Sequence, residues 1–256
     1  MPATIRRVNP LLSALCLALL CAGCATTTLN LPPEEPAMHS LSEIKDEYVV
    51  QSPDPWVGFN RSMYKFNYNL DKYVLLPVVG GYEFITPVIV QDGISNFFNN
   101  LLELRNFSNN LFQLKAVPSF ATLGRFVINS TIGIGGLFDP ATRMGIEKRT
   151  EDFGQTLGYW GMSSGPYLVL PLFGPSNVRD TGGIVVDAGI RMAVVSAIDP
   201  FAYVDNANAI ETGITALESI DKRHGEKFRY YGSDYPFEYE MVRFLSGKQR
   251  ELQVMK

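Results

Sequence analysis

Residues 96–114 read NFFNNLLELRNFSNNLFQL, and two interleaved patterns run through them. Phe97, Leu101, Leu104, Phe107, Leu111 and Leu114 recur at steps of three or four, the spacing of one face of an α-helix. Phe98, Leu102 and Phe112 widen that face well beyond a single stripe. The opposite side carries Asn96, Asn99, Asn100, Glu103, Asn106, Asn110 and Gln113, again at helical spacing. A soluble surface helix favours Lys and Glu there, so a row of amides leaves two readings open. Either the helix lies in lipid and turns its amides toward a polar groove or lumen, or it is buried and its Asn side chains cap neighbouring turns.

The surroundings of this helix are as poor in charge as the helix itself. From Val74 to Thr142 the charged residues are Glu83, Asp92, Glu103, Arg105, Lys115, Arg125 and Asp139. Phe153 to Val178 has none, yet five glycines and Pro166, Pro171 and Pro175 interrupt it. A regular spanning helix with that many breakers would strand backbone groups in hydrocarbon. The stretch reads as a re-entrant or membrane-surface segment with a short strand at Tyr167–Leu170, part of a hairpin near 160–172. Over all 256 residues, only 19% are charged, below the roughly 25% of soluble globular chains, and the formal net charge is −4. These values exclude general disorder, a basic nucleic-acid binder and a disulfide-stapled miniprotein. Three Cys and two His are too few for most Cys/His metal sites.

The N-terminus sets the compartment. Arg6 and Arg7 precede an apolar run from Leu11 to Ala22, of signal-peptide length and too short to span a bilayer. The run ends Leu20-Cys21-Ala22-Gly23-Cys24, and small residues before a Cys suit a lipoprotein signal peptidase, which would make Cys24 the lipidated N-terminus; the alternative is an ordinary secretory cut near Ala25. Cleavage at Cys24 leaves a chain with one Cys and no internal disulfide. Acylation makes anchoring effectively permanent, and Ala25 in place of Asp favours the outer membrane of a Gram-negative envelope.

The expected organisation is a leader at 1–23, an anchor and Pro-rich polar tether at 24–53, a membrane-embedded helical body at 54–204, and charged periplasm-facing helices at 205–256. Asp54-Pro55 reads as a helix N-cap with Pro at the first helical position. Trp56, Phe59, Met63, Phe66, Leu70 and Val74 then form one apolar stripe. The tail carries 17 charged residues in the 52 from Asp205 to Lys256, with helical stretches near Ile210–Ser219 and Tyr235–Leu245 that belong in water.

Covalent chemistry finds little support. His39 and His224 lie in the tether and the tail, and no Gly-x-Ser-x-Gly elbow accompanies any Ser. Gly133-Ile134-Gly135-Gly136 lacks the spacing and the Lys-Ser/Thr ending of a phosphate loop; it reads as a tight turn or hinge. Arg179-Asp180, beside the uncharged stretch, reads as a polar lining pair facing water. The alternative is simply a helix start after Pro175-Ser176-Asn177.

Several stretches together resemble the MlaA/VacJ family of outer-membrane lipoproteins. They are Asp54-Pro55-Trp56-Val57-Gly58-Phe59-Asn60-Arg61, Tyr64-Lys65-Phe66-Asn67, residues 93–101 (GISNFFNNL), residues 125–133 (RFVINSTIG), residues 152–158 (DFGQTLG), Gly165-Pro166-Tyr167, Gly174-Pro175-Ser176 and Arg179-Asp180. They span residues 54 to about 190 in the family's order. The resemblance implies a mostly α-helical, ring-like body in the inner leaflet of the outer membrane, with a central amphipathic channel. Through it, phospholipids would leave the outer leaflet for a soluble periplasmic carrier, and trimeric porins would associate with the body. No cofactor and no bond-breaking step is implied. Tyr64, Phe66 and Asn67 resemble the family segment near the channel. With Asn96, Asn99, Asn100, Arg179 and Asp180 they make the candidate lipid path, and Gly133, Gly135 and Gly136 the candidate hinge. An envelope scaffold that only holds porins, or a lipid hydrolase, are the competing readings.

Overall fold

The computed structural model describes residues 54–198, 206–233 and 235–255; the leader, Cys24 and the tether lie outside them. In chain order it has α1 (Val57–Leu70), a π-helical turn (Asp71–Leu75), α2 (Leu76–Ile85), α3 (Val88–Phe112), α4 (Ala116–Thr131), a short α5 (Pro140–Arg143) and α6 (Phe153–Tyr159). There follow β1 (Tyr167–Leu170), β2 (Gly174–Asn177), α7 (Val178–Ile198), α8 (Ala207–Gly225) and α9 (Glu238–Val254). The fold is thus mostly helical, as expected. The strand expected at Tyr167–Leu170 is present and pairs antiparallel with Gly174–Asn177, Tyr167 opposite Asn177 and Leu170 opposite Gly174. The hairpin therefore runs from 167 to 177, its second strand lying past the expected range. Its turn places Leu172 and Gly174 at φ +70° and +77°, a region glycine enters without strain.

Polarity is distributed the opposite way to that of a water-soluble domain. Among the described residues, nine apolar side chains are buried against twenty-four polar or charged ones. On α1 the buried positions are Asn60, Tyr64 and Asn67, and Asp71 continues them in the π turn. Trp56, Phe59, Phe66 and Val74 of the apolar stripe are instead exposed. The long α3 repeats the arrangement: Asn100, Glu103, Asn106, Asn109 and Asn110 are buried, while Leu101, Leu111 and Phe112 are not. The amides therefore meet protein, as the second reading of the stripe holds.

Buried amides must be satisfied by protein groups, and here they fix the packing. Asn60 accepts from the Val169 amide at 2.8 Å and donates to the Tyr167 carbonyl at 3.1 Å. Two turns on, Asn67 repeats the clamp, accepting from Leu172 N at 2.8 Å and donating to Leu170 O at 2.9 Å. Two side chains of α1 thus hold the edge of the hairpin as a third strand would. The small apolar core, Tyr64, Tyr167, Val169, Tyr239 and Val242, sits beside this contact.

Asp54 does not cap α1. The helix begins at Val57 after a turn, with Trp56 at the cap position and no side-chain cap bond. The Asp54 carboxylate is used elsewhere: it accepts from Asn60 Nδ2 at 2.7 Å, the Tyr239 hydroxyl at 2.5 Å and Arg243 Nη1 at 3.2 Å. Three donors converging from α1 and α9 outweigh one cap bond.

The C-terminal helix is likewise built into the body. Its Arg250 grips Asp152 through both Nη atoms at 2.8 Å and Asp180 through Nε at 2.7 Å. Asp152 is the N-cap of α6, accepting from the Gln155 amide at 2.9 Å. Burial alone would raise the Asp152 carboxyl, but Arg250 and Gln155 outweigh it and hold it well below the usual carboxylate range. Burial opposes ionisation of Asp180 in the same way, and Arg250 and Arg179 overcome it. Both acids therefore contribute stability above their unfolded values near pH 4, which is lost as pH falls through the depressed folded values.

Three outcomes follow for the purified protein in detergent. Asn60→Ala should cost about 2–3 kcal/mol of stability, because it orphans backbone groups of a buried strand edge; thermal unfolding reads this. Arg250→Gln should cost roughly 2–4 kcal/mol at neutral pH by leaving two carboxylates uncompensated. The thermal midpoint of the parent should be flat from neutrality to about pH 5 and fall below about pH 4, and in Arg250→Gln this acid-side fall should shrink, because without the guanidinium the two carboxyls lose the depressed folded values that produce it.

Candidate functional site

The amide face of α3 builds an extended polar network. Arg125 of α4 donates through Nε to Glu103 at 2.8 Å and through Nη2 to Asp139 at 3.0 Å, and it also reaches Thr142 Oγ1 and the Ile146 carbonyl. Asp139 caps α5 by accepting from Thr142 N at 3.0 Å. Partial burial raises its carboxyl, but Thr142, Arg125 and Asn129 bring it down to about 2. Further along, Asn106 accepts from the Glu151 amide at 3.0 Å, Asn109 accepts from Thr156 Oγ1 at 2.8 Å and donates to Asp187 at 3.0 Å, and Gln113 donates to Glu151 and Thr156. These side chains fasten α3 to α4, α6, α7 and the 144–152 loop.

The N-terminal part of the same face meets the glycine turn. Asn96 donates to the Leu137 carbonyl at 3.2 Å, and Asn100 donates to Ser130 Oγ at 2.9 Å. Asn99 accepts from Lys148 Nζ at 2.6 Å. Gly136 has φ +91°, and a β-carbon there would lie 2.7 Å from Asn100 Nδ2, so the glycine makes room for the amide. Gly133 is equally confined, by the Asn129 and Phe138 carbonyls, whereas Gly135, at φ +68°, faces open space. Asn96 and Asn100 are therefore brought together with the candidate hinge, as a tightly packed turn, while Asn99 meets the 144–152 loop through Lys148.

The other candidates divide. Tyr64 is fully buried; its hydroxyl donates to Glu238 at 2.6 Å, and Tyr230, Tyr231 and Tyr239 meet its ring edge-on. Burial first, then the Glu238 carboxylate, pushes its phenol far above the ordinary value. Asn67 clamps the hairpin. Phe66 is 45% exposed and shares neither environment. Arg179 and Asp180 do not face water: they are 8% and 6% exposed and bonded to each other at 2.9 Å. Asn177 donates to Asp180 at 2.6 Å and accepts from its backbone amide at 2.9 Å, and Arg179 Nη1 reaches the Met162 carbonyl at 3.3 Å. A charged pair beside an uncharged stretch can be neutralised internally, and here Arg250 completes the balance. The pair holds the start of α7 through these bonds.

Sequence reasoning missed Asp54, Asn60, Glu151, Glu238, Arg243 and Arg250. For α1 a signal existed: Asn60, Tyr64, Asn67 and Asp71, spaced 4, 3 and 4, form a polar stripe as regular as the apolar one. For the others, the partners lie on distant elements and no local pattern marks them.

Several of the most exposed apolar side chains lie at helix corners. Phe84, Ile85, Val88 and Ile89 flank Pro87 between α2 and α3, with Phe84 90% exposed. Leu114, Val117 and Phe120 crown the α3–α4 corner. Beside them Trp160 donates Nε1–H to the Phe112 carbonyl at 3.1 Å, and Lys115 lies 5.0 Å from the Tyr159 ring centre. Among the described residues, no helix is long and apolar enough to cross a membrane, and no cluster of three or more His, Cys, Asp or Glu is placed to hold a metal ion.

Comparison with known proteins gives a consistent result. Residues 52–253 match the family described as MlaA lipoprotein. An uncharacterised protein of Rickettsia typhi is 36% identical over 172 residues, covering 67% of this chain and 65% of that protein, so this chain spans just under two thirds of that relative's length. The Haemophilus influenzae protein named intermembrane phospholipid transport system lipoprotein MlaA is 33% identical over 186 residues, 71% of this chain and 68% of its own. Its namesake in Escherichia coli is 39% identical over 138 residues, 52% of this chain and 55% of its own. A solved chain, described as the structural basis for maintenance of bacterial outer membrane lipid asymmetry, superimposes with a TM-score of 0.60 at 30% identity, covering 79% of this chain and 99% of that one. On sequence and fold together, the chain belongs to the MlaA lipoprotein family.

Proposed function

We propose that this chain is a lipid conduit of the Gram-negative outer membrane. In this reading Cys24 carries the anchor, residues 24–53 tether it, and the helical body lies in the periplasm-facing leaflet around an amphipathic channel. Phospholipids leave the outer leaflet through it and pass to a soluble periplasmic carrier, with trimeric porins as neighbours and no chemistry on the lipid. The observation that carries the proposal is the inverted polarity: amides and ion pairs inside, Phe84, Ile85, Val88, Ile89, Val117 and Phe120 outside. In water so large an apolar surface would drive association; in hydrocarbon it is the stable arrangement. The names of the Haemophilus influenzae and Escherichia coli relatives, as phospholipid transport lipoproteins, support the substrate class.

Tyr64, Asn67, Asn96, Asn99 and Asn100 take a different role here from the one their polarity suggested. Tyr64 and Asn67 hold the α1–hairpin junction, Asn96 and Asn100 the α3–glycine-turn junction and Asn99 the contact with Lys148, on which the channel wall depends, and Gly135, with open space around it, is where that wall flexes. Asn96 and Asn99 are half-buried and remain the candidates that touch the path itself.

The decisive measurement reconstitutes the full-length protein in phospholipid vesicles and adds a soluble lipid acceptor. Intact phospholipid should appear on the acceptor, without free fatty acid or lysolipid. Acceptor left empty would point to a scaffold, and cleavage products would point to a hydrolase. A second test concerns immersion. Phe84→Asp combined with Ile89→Asp should shift the protein out of the vesicle fraction in flotation, since an acidic side chain at bilayer depth costs about 2.5–3.5 kcal/mol.

A further inference from the structure

Among the described residues, every buried or half-buried guanidinium but one has an acid beside it. Arg125 pairs with Glu103 and Asp139, Arg179 with Asp180, Arg223 with Asp71, Arg243 with Asp54, and Arg250 with Asp152 and Asp180. Arg105, near the middle of α3, is the exception. It is half-buried, its Nε is buried with no acceptor, and its side chain makes no hydrogen bond or ion pair among the described residues.

The acid that reaches this side of α3 is already spent. Asn109 lies one turn beyond Arg105 on the same face, and its amide donates to Asp187 Oδ1, while the Phe153 amide donates to Asp187 Oδ2 at 3.0 Å. Ser108, the other helical neighbour, turns its hydroxyl back to the Arg105 carbonyl at 2.9 Å. Along the same face, Leu101 four residues before and Phe112 seven residues after are 40% and 43% exposed. The surface thus presents one unmatched cation between two apolar side chains on a single helix.

A half-desolvated guanidinium without a fixed counter-ion costs free energy that an exchangeable anion can recover. The planar fork of Arg matches the two non-bridging oxygens of a phosphate, and charge-assisted bonds of that kind are about twice as strong as neutral ones. Apolar side chains on both sides suit the acyl chains of the same molecule. We infer that Arg105 binds the phosphodiester of a phospholipid, with hydrocarbon lying along Leu101 and Phe112. Arg105 is then the residue that distinguishes a phosphate-bearing lipid from a neutral one; the inference rests on the lipid-conduit reading and names a contact within it.

The test uses the full-length protein in detergent and measures binding of three probes: dihexanoylphosphatidylcholine, dihexanoylglycerol, which has the same chains without phosphate, and inorganic phosphate. Arg105→Gln should weaken phosphatidylcholine binding about tenfold and leave dihexanoylglycerol unchanged. Arg105→Lys, which keeps the charge and loses the fork, should fall between, and it carries the test if Arg105→Gln does not fold. Inorganic phosphate should compete only at far higher concentration than the lipid. Equal loss for both lipids would make Arg105 a packing residue, an unchanged affinity would remove it from the site, and phosphate competing as well as the lipid would make the site a plain anion site; each overturns the inference. Undiminished phosphatidylcholine binding by Arg105→Gln while the parent still transfers phospholipid would sink this assignment alone. Failure of the parent to bind or transfer any lipid would sink the conduit reading with it.

Discussion

A side-chain amide shut away from water has two donor hydrogens and two acceptor lone pairs, and each left unmatched is costly. That constraint organises the molecule. Because the inner faces of α1 and α3 are lined with Asn, each helix fits only where another element offers carbonyls, amides or hydroxyls at matching heights. Asn60 and Asn67 find them on the hairpin, Asn106 on the Glu151 backbone, and Asn109 on Thr156 and Asp187. Hydrophobic burial pulls side chains together without direction; amide pairing specifies which atoms must meet. The directional term has been moved inside and the non-directional one left for the surroundings.

The same logic gives the charged C-terminal helix its place. Glu238 receives the Tyr64 hydroxyl and the Tyr231 amide, Arg243 meets Asp54, and Arg250 joins the cap of α6 to Asp180 in the first turn of α7. Residues nearly two hundred positions apart are thereby held in one cluster, and the first and last described helices close on each other. A buried ion pair is weak support when a hydrocarbon pair could replace it. Here each pair also carries a helix cap or an aromatic hydroxyl, so removing one partner disturbs several bonds at once.

Much of this could be seen in the sequence, unevenly. The helical period of α3, its amide row, the strand at Tyr167–Leu170 and the charge-poor middle all appear in local spacing, because local spacing is what sets a helix face or a strand. The destination of the polar residues could not be seen. A row of Asn looks the same whether it faces water in a channel or another helix, and only the partner's position separates the cases. Arg179 and Asp180 were expected in water because a charge seemed to demand it; the neutralising Arg250 lies seventy residues away in a tail whose high charge suggested solvent. Asp54 looked like a helix cap for the same reason: the cap signal is local, and the competing Tyr239 and Arg243 are not.

The outward-facing Phe84, Val117 and Phe120 also carry a consequence for biogenesis. A polypeptide made at one membrane and installed at another crosses an aqueous gap, and side chains suited to hydrocarbon are there a liability for clumping. Folding ahead of arrival would give no relief, since the folded form is the one that displays them. If the body is seated in the outer membrane as proposed, delivery would have to be escorted, with the greasy corners covered until the destination bilayer replaces the escort.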